Sequence, residues 1–348
     1  MIARAAKVTL GAAVASMLLS GCVAAAVPAV AAAGLYKTRQ DSRDKARKSP
    51  KPAEPVAAGQ VVTAPDGSTL RITSLTALPP PGGQPVAGPP PEMQYLYGSG
   101  EAAALSVQAY RAMYSFLRNE LGHLRDKRDA RSVVLAPGST IEDPRFYRCG
   151  ALPQAVVLDI DETALLNLGF EADAVARGGG YDAARWARWE QTGADKVAAV
   201  PGAAETLAAL RRDGYTVIFN SNRATSSAAQ TVAALDHAGL GPAVLGDTLW
   251  LRGDGEASGK DTRRAKIAER YCVVAMAGDQ LGDFTDLFNA PATSVRARRN
   301  LTSETALAPL WGAGWFMLPN PVYGSGLKGG LDDIFPPETR WTDPQEKK

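Results

Sequence analysis

Residues 155–167 read AVVLDIDETALLN, an apolar run that ends in three acidic side chains within four positions. A run with no polar alternation must be covered on both faces, and a strand achieves this inside a parallel sheet flanked by helices. Three close carboxylates repel and raise one another's pKa, so a compensating charge has to meet them at the strand end. Asp159, Asp161 and Glu162 therefore constrain both the fold and the chemistry.

The chain that follows alternates between the two periodicities. Residues 99–121 have helical spacing, with Leu105, Tyr110, Met113 and Leu117 expected near one face. Strands are predicted at 155–160, 215–221, 247–252, 272–279 and 315–319. Helices are predicted at 202–214, where Gly214 ends the run, at 226–241, with Gly239 as its stop, and at 261–271. Apolar strands alternating with helices predict an α/β fold, a parallel sheet with helices on both faces. A smaller, mainly helical cap and N-terminal region accompanies it. In such sheets the chemistry lies outside the carboxyl ends of the strands.

The front end is of another kind. Arg4 and Lys7 precede an apolar segment that ends at Leu19-Ser20-Gly21-Cys22, the layout of a secretory signal over residues 1–21. Small residues before a cysteine resemble the lipobox of bacterial lipoproteins, which implies lipidation at Cys22. An uncleaved anchor is the other reading, since the apolar run continues past Cys22, but Pro28 and many alanines make a poor spanning helix. Export and tethering to the cell envelope follow either way. Val23, where Asp would resemble an inner-membrane retention signal, favours the outer membrane. Residues 22–92 read as a lipidated N-terminus and Pro/Gly-rich linker, too poor in apolar surface to offset their ordering entropy. A small hairpin over 59–75, around Pro65-Asp66-Gly67, is the exception. Residues 93–348 form the globular part, with an insertion at about 168–200. A net charge of +2 from 38 basic and 36 acidic residues offers no bulk attraction for nucleic acid, and none is expected as a partner.

At the carboxyl ends stand Asp159 and Asp161, then Ser221 with Asn222 and Arg223, then Lys260 in a Gly-rich loop, then Asp279 and Asp283. Four carboxylates on one rim need a cation, and hard oxygen ligands suit Mg2+.

These residues carry a family resemblance. Asp159-x-Asp161-x-Thr163, Ser221, Lys260 and Gly278-Asp279-x-x-x-Asp283 occur in the order of the haloacid dehalogenase superfamily phosphatases. More narrowly, LDIDETALLN, NSNR, GDQLGDF and MLPNPVYGSG resemble the class C acid phosphatases, bacterial lipoproteins with four key aspartates, over about residues 93–330. The resemblance implies a Rossmannoid sheet and Mg2+-dependent hydrolysis of a small phosphate monoester. Asp159 is then the nucleophile that forms an aspartyl-phosphate, and Asp161 the general acid and base. Ser221 donates to the phosphoryl group, and Lys260 neutralises its charge. Asp159, the Asp161 carbonyl and Asp279 hold the metal. Asp283 is either a water-mediated ligand or the partner that orients Lys260.

Other positions carry narrower expectations. Glu162 is expected to cap the following helix. Asn222 and Arg223 either shape their loop or reach substrate. Phe170, in the insertion, matches a family position near the leaving group. Trp186 and Trp189 are expected to pack the insertion itself. In the family sheet the first and fourth strands are adjacent, which brings Cys149 near Cys272 and implies a disulfide. His123 and His237 are the only histidines, expected at the surface, and they speak against a histidine acid phosphatase and a Ser-His-Asp hydrolase. Nucleoside monophosphates are the favoured substrates, and a homodimer is left open. Phosphotransfer to an alcohol and a non-catalytic surface binding module are the alternatives.

Overall fold

The computed structural model describes residues 61–63, 69–71, 88–121, 130–178 and 180–344. The signal segment, Cys22, most of the linker and His123 lie outside the described residues. The chain divides into two units, residues 1–84 and 85–348. In the first, β1 (Val61–Thr63) and β2 (Thr69–Arg71) pair antiparallel with Val61 opposite Arg71.

The second unit is built on β5 (Gln154–Leu158), β8 (Thr216–Ala224), β9 (Leu249–Arg252), β10 (Cys272–Gly278) and β11 (Trp315–Met317). They form a parallel sheet of order β11-β10-β5-β8-β9. Every residue of β5 and β10 is buried, as the apolar runs that follow Gln154 and begin at Cys272 require of central strands. Two antiparallel pairs lie beside this sheet. One joins β3 (Arg131–Leu135) to β4 (Phe146–Arg148); the other joins β6 (Leu165–Leu166) to β7 (Ala198–Ala199). The insertion between β6 and β7 consists of α2 (Leu168–Arg177) and α3 (Ala183–Thr192).

Helices cover both faces. On one, α1 (Gly100–Phe116), α4 (Ala203–Arg212) and α5 (Ala228–His237) bring Tyr110, Met113, Leu207, Leu210 and Leu235 against Phe219 and Leu158. On the other, Ile267 of α6 (Asp261–Ala268) packs with Val134, Phe284, Phe288 and Trp315. Each such side chain, removed fully from water, contributes about 1.5–3 kcal/mol.

The buried stripe of α1 differs from the expected one. Ser106, Tyr110 and Met113 face inward with Leu117 just past the helix end, while Leu105 is 45% exposed. The spacing 106, 110, 113, 117 keeps to one helical face, and Leu105 stands about 100° away from Ser106. Ser99 opens α1 by accepting the Ala102 N–H. His237 ends α5 and is exposed, as expected.

Register then fixes the rim. Leu158 lies beside Ala277 of β10 and Phe219 of β8, so Asp159, Asp279 and Ser221 emerge side by side. Cys149 and Cys272 form a disulfide, Cα atoms 4.7 Å apart, where Cys272 begins β10 at the opposite end of the sheet.

Candidate active site

Asp159 follows β5 directly, and its Oδ1 accepts a 2.5 Å hydrogen bond from Lys260 Nζ. The same ammonium lies 2.7 Å from Asp283 Oδ1. Lys260 precedes α6, and its backbone N–H is fixed on Asp286. A Gly-rich loop ordinarily leaves a lysine in water; here the side chain is only 7% exposed, held by its two carboxylates. Burial works against its charge, but Asp159 and Asp283 outweigh burial and raise its pKa.

Asp279, at the end of β10, accepts from Thr163 Oγ1 at 2.7 Å, Asn320 Nδ2 at 2.8 Å and Gln280 Nε2 at 3.0 Å. Asp283 folds back to accept the Gln280 N–H. Gly278 makes this return possible, since a Cβ there would collide with the Asp283 side chain. Carboxylate oxygens of Asp159, Asp279 and Asp283 all lie within 4.8 Å of one another. Burial raises Asp159 well above the usual carboxylate range, with Lys260 opposing and the neighbouring aspartates adding to the rise. Burial and then Asp283 push Asp279 up to about 6, against its three hydrogen bonds.

Asp161 is held apart from this group. Arg223 grips it through Nε at 2.9 Å and a terminal nitrogen at 2.7 Å, and Asn167 Nδ2 adds a third bond at 3.0 Å. Ser221 Oγ approaches its other oxygen at 3.4 Å. Four carboxylates (Asp159, Asp161, Asp279, Asp283) thus meet two cations (Lys260, Arg223), leaving surplus negative charge in a buried site. A divalent cation fits that surplus and an all-oxygen donor set.

Several expected residues take more specific places. Arg223, between loop shaping and phosphate, has Nε and one terminal nitrogen engaged by Asp161 and Asn167. Asn222 lines the cavity, but its side chain bonds the Ser258 carbonyl and Arg263 and so ties down the Lys260 loop. Phe170 is 5% exposed and meets Trp186 edge-on, ring centroids 4.9 Å apart. Trp189 packs the insertion and donates to Asn167, as expected of a packing residue. Trp186 does both, packing on Phe170 while lining the cavity.

Glu162 departs most from expectation. The chain runs first into β6, so α2 begins only at Leu168. Glu162 adopts φ 54°, a left-handed conformation that costs a non-glycine residue on the order of 1 kcal/mol or more. Its buried carboxylate still receives the Asn167 N–H ahead of α2, and also the hydroxyls of Tyr97 and Tyr323. Burial, then Asp161, pushes it up to about 8. Tyr97, Asn167, Asn320 and Tyr323 went unassigned in the sequence; the LDIDETALLN and MLPNPVYGSG runs held three of them without giving them work.

A cavity of about 860 Å3 opens over these groups and extends to Phe170, Tyr181 and Trp186 of the insertion. It is far larger than one phosphoryl group needs, so an organic leaving group fits beside it.

Comparison with known proteins places this geometry. Residues 138–326, more than half of the chain, match the family described as HAD superfamily, subfamily IIIB (Acid phosphatase). The class C acid phosphatase from Bacillus anthracis with tungstate bound is a structural neighbour at 23% identity and TM-score 0.53, covering 70% of this chain and 92% of that one. A second structure of the class C acid phosphatase from Bacillus anthracis aligns at 24% identity and TM-score 0.52, over 70% and 87%. At these identities the neighbours establish the shared fold, and the family match carries the activity class. The chain belongs to the subfamily IIIB acid phosphatases of the haloacid dehalogenase superfamily and is a phosphomonoesterase.

Proposed function

We propose that this chain is a Mg2+-dependent acid phosphatase of the cell envelope that releases phosphate from small organic monoesters through an aspartyl-phosphate. The observation that carries the reading is the buried Lys260 bridge between Asp159 and Asp283 beside Asp279, set apart from the Arg223-bound Asp161. Two carboxylates in unlike surroundings suit two unlike roles.

Asp159, Asp279 and the Asp161 carbonyl would hold Mg2+, with Asp283 at the edge of that set, and the ion would supply charge neutralisation for a dianionic ester. An Asp159 carboxylate oxygen attacks phosphorus in line with the ester oxygen, and the P–O bond to the alcohol breaks. Asp161 gives its proton to the departing oxygen. It then takes a proton from the water that attacks the phospho-aspartate, which frees inorganic phosphate and restores Asp159. Lys260 faces the charge that develops on the phosphoryl oxygens, and Ser221 Oγ supplies a donor there. Arg223 and Asn167 hold Asp161 in place between the two steps.

The substrate class favoured here is the nucleoside monophosphates, since flat aromatic side chains line the far cavity wall. The lipid anchor is placed at Cys22 on the sequence alone, with the catalytic unit held off the outer membrane by the linker.

Phosphate release from p-nitrophenyl phosphate and a nucleotide panel, with Mg2+ and with EDTA, tests the reading. Turnover should need the metal and vanish in Asp159→Asn while that variant keeps its fold. Metal-independent turnover, or turnover by Asp159→Asn, would overturn it. A Cys22→Ala variant that still fractionates with membranes would remove the anchor.

A further inference from the structure

We propose that Glu171 and Arg185 form a leaving-group subsite that selects esters whose alcohol presents a hydrogen-bond donor beside an acceptor. The inference rests on the phosphomonoesterase reading of this cavity and specifies which esters it prefers.

Glu171 lies on α2 and Arg185 on α3, and both line the cavity that Asp159 lines. Glu171 is 8% exposed, yet among the described residues its carboxylate accepts no hydrogen bond. The other buried carboxylates nearby are supplied. Glu190 takes the Trp186 indole N–H and the Ala224 N–H, Glu162 takes two tyrosine hydroxyls, and Asp279 takes three donors. Across the cavity Arg185 Nε is buried with no acceptor among the described residues, which is costly, so a ligand that brings an acceptor to Arg185 and a donor to the open Glu171 oxygens gains there.

Arg185 supplies the opposite pole. Its guanidinium lies 4.5 Å over the Phe170 ring and donates one bond to the Gly180 carbonyl. No carboxylate among the described residues lies within ion-pair distance of it. Glu171 and Arg185 face one cavity without closing on each other, which leaves a gap for a ligand group to bridge. Burial raises the Glu171 pKa and Arg185 opposes it, consistent with a pair that senses but does not touch itself. Phe170 and Trp186 line the same cavity and suit a flat or compact group.

A donor next to an acceptor has two ready sources. One is a nucleobase with an amino group beside a ring nitrogen; the other is a zwitterionic amino acid, its ammonium toward Glu171 and its carboxylate toward Arg185. The ester p-nitrophenyl phosphate offers no donor and serves as the reference.

The test measures kcat/KM for AMP, purine riboside 5'-monophosphate (which lacks the 6-amino donor), O-phospho-L-serine, ethanolamine phosphate and p-nitrophenyl phosphate in the full chain and in its Glu171→Gln and Arg185→Gln variants. If a base is read, AMP exceeds purine riboside 5'-monophosphate by about 10-fold or more, and Glu171→Gln removes or inverts that ratio. If an amino acid is read, O-phospho-L-serine exceeds ethanolamine phosphate, and each substitution erodes that preference relative to p-nitrophenyl phosphate. Pair ratios below 2-fold in the unsubstituted protein, or ratios that neither substitution moves, overturn the subsite. Failure to hydrolyse even p-nitrophenyl phosphate would count against the phosphomonoesterase reading instead. Binding of adenosine, purine riboside and L-serine, followed by tryptophan fluorescence, then decides the subsite: affinity lost in Glu171→Gln supports it, and no binding overturns it.

Discussion

Lys260 Nζ stands 2.5 Å from Asp159 Oδ1, and both side chains are nearly out of solvent. The two residues are 101 positions apart in sequence and meet only because Asp159 ends β5 while Lys260 precedes α6 at the same rim. An ammonium between the two side chains holds them close and opposes the rise that burial imposes on Asp159. Such a buried pair is weak evidence of net stability, but removing one partner alone is costly because it strands the other.

Lys260→Met should therefore have two separable effects. Turnover of p-nitrophenyl phosphate should fall by roughly 100-fold or more, since a positive charge aimed at the transferring group is lost. The metal-free variant should also lose about 3–5 kcal/mol of stability, read by urea denaturation, from the uncompensated Asp159 and Asp283. Added Mg2+ should restore much of the stability and little of the turnover. Turnover within 10-fold of the unsubstituted chain would count against the role given to Lys260.

Gly278 has a steric reason to be glycine. It precedes Asp279, and a side chain there meets Asp283, which folds back over it to reach Lys260. Gly278→Ala should displace Asp283, cost about 1–3 kcal/mol and reduce kcat more than it raises KM. Gly100→Ala, on a helix with open space around the added methyl, is the matched control and should be close to neutral. Equal behaviour of the two variants in thermal melts and kinetics would refute the packing argument.

What could be read in advance follows the range of the interactions involved. Asp159, Ser221 and Asp279 were legible because apolar strands mark their own ends, and parallel register then lines those ends up. The burial of Lys260 was not, because residues 253–259 look like any solvated loop and its partners arrive from two other strands. Arg223 was left between two roles, and only the fold reveals that Asp161 and Asn167 take up its Nε and one terminal nitrogen. Glu162 was read as a local cap; its tyrosine partners come from 65 and 161 residues away, a distance no local pattern encodes. Leu105 shows the smaller error of choosing among apolar residues on a helix before its packing partners are known.

The Cys149–Cys272 disulfide closes a loop of sequence separation 123 at the end of the sheet away from the rim. Loop-closure entropy gives such a link roughly 4–5 kcal/mol. The double substitution Cys149→Ala, Cys272→Ala should lower the denaturation midpoint accordingly while leaving kcat for p-nitrophenyl phosphate within about 2-fold at 25 °C. A mass 2 Da higher after reduction of the unsubstituted chain, by about the loss of one S–S bond, checks that the link forms.

The pH dependence of stability should separate Glu162 from the Asp159–Asp279–Asp283 cluster. Glu162 is raised from the usual 4.5 to about 8 by burial and by Asp161, and Asp279 from 3.8 to about 6 by burial and by Asp283. A carboxyl whose pKa is higher in the folded chain holds more protons folded than unfolded, so stability declines as pH rises through that interval. For Asp279 the decline falls between about pH 4 and 6, and for Glu162 it continues to about pH 8. Mg2+ should offset the part due to Asp279, which lies in the carboxylate group, but little of the part due to Glu162, whose oxygens are taken by Tyr97, Tyr323 and Asn167. Thermal melts from pH 5 to 8 in EDTA should therefore slope downward in the unsubstituted chain. In Glu162→Gln the slope between pH 6 and 8 should flatten, because the amide fills the same site without a proton to lose. A slope unchanged by that substitution would move the decline onto another group and leave the Glu162 carboxylate ionised in its buried site.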